Sequence, residues 1–179
     1  MRVNFTLSTV VLTLLHLVAC KEPNPSPPPS LDVLFTQNKW KLTAWTSTPA
    51  YPQKYTNGTT RLYTDLFERH RDVNLPCLID EQLDLRLGEG SDPNDWSNKF
   101  YSFYQGKVTC NKSEPLHSGS WYTVTNKNGI YLYIQDKPQS SSNNVRDIYK
   151  IEEVSNGRLV LSQSTASPVY VFKKTFTPL

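Results

Sequence analysis

Cysteine is scarce in this chain, at Cys20, Cys77 and Cys110 only, and histidine is equally scarce, at His16, His70 and His117. The three cysteines lie far apart, so the C-x-x-C spacing of metal and redox sites is missing, as is H-E-x-x-H. The seven glycines form neither a phosphate-cradling loop nor a G-x-S-x-G elbow. His70 and His117 have no serine or cysteine nucleophile motif beside them, and Asp80-Glu81 are adjacent residues that an extended chain points to opposite sides. These carboxylates therefore read as capping or solvated groups. No catalytic set, metal site or cofactor is expected, and the protein is not expected to be an enzyme. Basic blocks are absent too. The net charge is +3, spread along the chain, which lacks the electrostatic footprint of a nucleic-acid binder. Nor is there an apolar run of the roughly 20 residues that cross a bilayer.

What the chain does have begins with a short positive start at Arg2 and a mostly apolar stretch from Phe5 to Ala19, the pattern of a signal peptide over residues 1–19. Leu17-Val18-Ala19-Cys20 closes it, with an aliphatic residue first, a small residue last and cysteine directly after. This resembles the lipobox of bacterial lipoproteins. The resemblance implies cleavage before Cys20, a diacylglyceryl thioether on its sulfur and an acylated α-amine, and hence a membrane anchor. Residues 20–30 follow as a tether, with five prolines between Lys21 and Ser30. Such a segment stays extended at about 3.1 Å per residue, which would hold the domain roughly 30 Å from the anchor. Behind a secretion signal, the remaining pair Cys77 and Cys110 reads as a disulfide.

Residues 31–179 read as one all-β domain. Ser30 is placed to cap a short helix through Asn38, with Leu31, Leu34 and Phe35 on one face. Asn38 to Trp45 alternates, putting Trp40, Leu42 and Ala44 inward and leaving Trp45 on the opposite phase. Pro49 to Thr60 reads as a long loop, and Arg61 to Val73 as a short helix covering one mouth of a barrel. Strand patterns then recur at Gln82–Leu87, at Lys99–Tyr104 with Gly106 as a bulge, and at Trp121–Thr125. Further strands follow at Ile130–Ile134, Val145–Val154, Arg158–Ser162 and Val169–Lys174. Asn128-Gly129 marks a tight hairpin. Eight strands in sequential hairpins predict an up-and-down antiparallel barrel or meander with one or two short helices. The predicted interior comprises Trp40, Leu42, Leu83, Leu85, Trp121, Leu132, Tyr149, Ile151, Leu159 and Leu161. With the chain ends as neighbours, Lys173 or Lys174 is placed near the Trp40 ring as a cation–π partner. Trp96, in the Asp92-Pro-Asn-Asp loop, is expected to be exposed.

An ordered series of short motifs carries a family resemblance. Lys39-Trp40-Lys41-Leu42, Cys77-Leu-Ile-Asp80, Cys110, Gly119-Ser-Trp121, Ile130-Tyr-Leu132, Tyr149-Lys-Ile151 and Leu159-Val-Leu161 follow one another behind the lipobox. Together they resemble the lipocalin-like domain lipoproteins of the Bacteroidetes type. Asn38 stands where the lipocalin start usually has glycine. The resemblance implies an outer-membrane lipoprotein, on the periplasmic or the cell-surface side. Its barrel would bind a small apolar or amphipathic ligand. The alternative is a non-catalytic scaffold with a filled barrel that meets a protein or glycan through its loops.

Overall fold

A computed structural model describes residues 29–75, 79–88, 99–106, 117–136 and 145–179. The signal peptide, Cys20, the tether to Pro28, Cys77, Cys110 and Trp96 lie outside these residues. In chain order the elements are α1 (Leu31–Thr36), β1 (Lys39–Lys54), β2 (Thr60–Asp65) and α2 (Leu66–Asp72), then β3 (Gln82–Leu87) and β4 (Lys99–Tyr104). Next come β5 (His117–Asn126), β6 (Gly129–Asp136), β7 (Val145–Ser155), β8 (Arg158–Ser164) and β9 (Val171–Pro178). Every neighbouring pair is antiparallel, and β9 returns to β1, so β1 and β3 to β9 close an eight-stranded barrel. β2 is an added strand on the distal part of β1.

α1 begins where Ser30 accepts a hydrogen bond from the Val33 backbone N–H, as the helix-start pattern predicts. Its Phe35 is fully buried and plugs one end of the barrel. Trp40, Leu42, Leu83, Leu85, Trp121, Leu132, Tyr149, Leu159 and Leu161 are buried in one cluster with Phe35, Tyr101, Ile134 and Phe176, and Ile151 packs half-buried against it. The β5–β6 hairpin turns at Lys127-Asn128, where the Asn126 side chain accepts from the Asn128 N–H. Gly129 follows at φ +132°, a conformation that side-chain-bearing residues avoid.

β1 organises the rest. Leu42 pairs with Phe176 of β9 and Ala44 with Thr175, so β1 carries one extra residue between them. A bulge of this kind inverts the inward and outward phases beyond it. Trp45, expected outward, therefore packs against the core, and Ser47 is buried after it. At the same point β1 exchanges partners. Its pairing with β3 covers Lys39 to Lys41, whereas Thr46 and, past an irregularity, Tyr51 to Lys54 pair with β2. Pro49 to Thr60 is therefore not one long loop, because β1 runs on to Lys54 before the hairpin. Past Thr48, where its pairing with β9 ends, β1 is paired on one side only, an edge position at which proline is tolerated. The predicted helix over Arg61–Val73 resolves into strand β2 and then α2, which starts only at Leu66 because Tyr63, buried at 1% exposure, belongs to a strand face.

Gly106, expected as a bulge, lies just past the end of β4, and the residues that follow it lie outside the described ones. A Cβ there would stand 2.1 Å from the Asp80 carboxyl carbon, so only glycine permits the approach. The last strand begins at Val171 rather than Val169 and continues to Pro178, which brings Phe176 into the core.

Candidate ligand-binding site

The two ends of the barrel differ. At the α1 end, Phe35 meets Trp121 edge-on at 5.6 Å, and the Trp40 indole N–H donates to the Phe35 carbonyl at 2.8 Å. Lys99 stands 5.0 Å from the Trp121 ring centre and pairs with Asp32 of α1 at 2.9 Å. This end is filled.

At the other end the chain leaves space. Trp45 and Tyr51 of β1, Leu66, Arg69 and His70 of α2, and Phe172 of β9 line a cavity of about 170 Å³. The bulge turns Trp45 toward it. α2 is held across the mouth by side chains of β2. Arg61 pairs with Asp72 at 2.5 Å and with Glu68 at 2.6 Å, and the Tyr63 hydroxyl donates to Asp72 at 2.6 Å and meets the Tyr55 hydroxyl. Burial and the bond to Asp72 raise the Tyr63 phenol well above its ordinary pKa. Asp65 caps α2 by accepting from the Phe67 N–H at 2.8 Å.

Within the mouth the aromatic faces are already engaged by cations. Lys174 stands 4.4 Å from the Trp45 ring centre and 5.9 Å from that of Phe103, and pairs with Glu81 at 3.2 Å, both side chains being 14% exposed. Arg69 lies 5.1 Å over the Tyr51 ring and donates through Nε to Gln53 at 2.9 Å. His70 lies against Trp45 with ring centres 4.8 Å apart. A broader groove of about 300 Å³, lined by Thr43 to Thr48, Thr64, Asp65 and Phe67, follows β1 past its bulge. Ala44, Trp45 and Phe67 give it apolar surface beside the threonine and serine hydroxyls, and Asp65 is its one charged side chain.

Two sequence expectations change here. No cation stands over Trp40 among the described residues, because Trp40 pairs with Pro178, while Lys174 sits directly opposite Trp45 in the register. Lys173 alternates to the outside and is exposed. Glu81, expected to be capping or solvated, is instead the partner of Lys174. Leu66 and Arg69 stand at helical spacing in the sequence, but nothing in the pattern shows that they share a cavity with Tyr51 and Phe172. The alternation through Leu62, Tyr63 and Thr64 was the available sign that a strand precedes α2. Among the described residues no three His, Cys, Asp or Glu side chains gather as metal ligands.

Burial holds the His70 imidazole below its ordinary pKa, with Arg69 and Lys174 adding to the depression, while the Leu66 carbonyl and Glu81 oppose it. With Nδ1 2.7 Å from the Leu66 oxygen, the neutral ring donates there. The unfolded chain takes up this proton below about pH 6.5 and the folded chain does so only at lower pH. Stability from this group is thus complete above pH 6.5 and lost as the pH falls. Thermal unfolding between pH 7.5 and 5 should show the decline, and His70→Asn, which can still donate to Leu66, should flatten it. An NMR titration giving a His70 pKa at or above 6.5 would contradict this.

Fold and site together define a closed antiparallel β-barrel, filled at one end and opening at the other into an aromatic, cation-bearing cavity under a helical lid. No protein-family model and no curated protein matches the chain.

Proposed function

We propose that the protein is a lipid-anchored, lipocalin-like binding module that takes a small ligand in the cavity beneath α2. The observation that carries this reading is the asymmetry of the barrel. One end is packed solid, while aromatic and polar side chains from β1, α2 and β9 converge on open space at the other. A volume near 170 Å³ falls below the usual range of about 300–1,000 Å³ for small-molecule sites. The ligand is therefore small, or only one end of it enters. The anchor rests on the apolar run and Leu17-Val18-Ala19-Cys20. It would place the module on the outer membrane. A second reading, a surface for protein or glycan, has in its favour the stacked Tyr122–Tyr133 pair, 4.9 Å apart, with Ile148 at 41% exposure opposite Tyr133.

Native mass spectrometry of protein extracted from its host membrane tests both parts. The expected species begins at Cys20, carries lipid mass and retains a small molecule that is lost in Trp45→Ala. Cys20→Ala should abolish the lipid mass and the partition into detergent. A Cys20→Ala protein that still carries lipid contradicts the anchor. A retained molecule indifferent to Trp45→Ala contradicts the cavity.

A further inference from the structure

Resting on the cavity reading above, we infer that the ligand is a small aromatic carboxylate, with its ring among Trp45, Tyr51 and Phe172 and its carboxylate on Arg69. The charges bordering the mouth decide the sign. Glu81 and Lys174 compensate one another at 3.2 Å. Arg69 uses Nε on Gln53, and no carboxylate pairs with it among the described residues, so its remaining N–H groups carry the surplus positive charge.

A cationic ligand is disfavoured for the same reason and for a second one. The aromatic faces that would attract a cation are occupied, Trp45 by Lys174 and Tyr51 by Arg69. A planar carboxylate matches the guanidinium fork, which favours it over a rounder anion. The cavity volume fits one ring with a short substituent.

The test compares three probes with the same ring, namely benzoate, benzamide and benzylammonium. Each is titrated calorimetrically into the mature protein at pH 7.5 and into its Arg69→Gln and Arg69→Lys variants. Benzoate should bind about tenfold or more tightly than benzamide, as a charge-assisted bond implies, and benzylammonium should bind most weakly. Arg69→Gln should remove the preference for benzoate while leaving benzamide within about twofold, and Arg69→Lys should keep part of it. If Arg69→Gln does not fold, the wild-type order and Arg69→Lys decide alone. Equal binding of all three probes overturns the carboxylate assignment and leaves the cavity standing. No saturable binding by any probe overturns the cavity itself.

Discussion

Trp40→Ala is expected to lower the unfolding free energy by about 3–5 kcal/mol, a large part of what a single domain possesses. Trp40 is fully buried, shares the core with Phe35, Leu83 and Phe176, and holds the last turn of α1 through its bond to the Phe35 carbonyl. Removing the ring leaves a cavity and frees the plug at that end. Trp40→Phe keeps most of the apolar contact but abandons the buried Phe35 carbonyl, and should cost about 1–3 kcal/mol. Urea unfolding checks both, with the slope unchanged so that the midpoint reports stability. A loss below about 1 kcal/mol for Trp40→Ala would mean that the α1 end is not packed as described.

Asp32→Ala should be the next most damaging change, at about 3 kcal/mol. It leaves the Lys99 ammonium, only 9% exposed, against Trp121 with no counter-charge. The cost comes mainly from the abandoned charge rather than from the lost attraction. Lys99→Met, which removes the charge and keeps the stem, should therefore recover much of the loss when combined with Asp32→Ala. The double-mutant cycle reads this directly. Additive losses in the double variant would show that the two residues do not act as a pair.

Much of the architecture was legible because period-two alternation survives along Trp121–Thr125 and Ile130–Ile134, where the ladder is regular, whereas along Gln82–Leu87 Asp84 is buried between Leu83 and Leu85 and Leu87, expected inward, is exposed. The closed eight-stranded barrel with two short helices follows from it. The site was mostly not legible, and the cause is the bulge. No glycine or proline marks the step between Leu42 and Ala44, so simple alternation places Trp45 outside and carries the Lys174 cation to the wrong tryptophan. Beyond it, proline and tyrosine disguise the second half of β1 as a loop, and β2 as part of a helix. His70 reads in sequence as a surface or packing histidine. That it borders a cavity depends on the angle at which β2 delivers α2 across the mouth, which local pattern does not encode.

The central claim is that ligands enter at Trp45 and leave the filled end untouched. The ¹H–¹⁵N spectrum of the tryptophan indoles in the mature protein tests it, with Trp45 assigned through Trp45→Phe and the protein titrated with benzoate. The Trp45 signal is expected to move and saturate while those of Trp40 and Trp121 stay in place. Movement of Trp40 or Trp121 with Trp45 unchanged would contradict it.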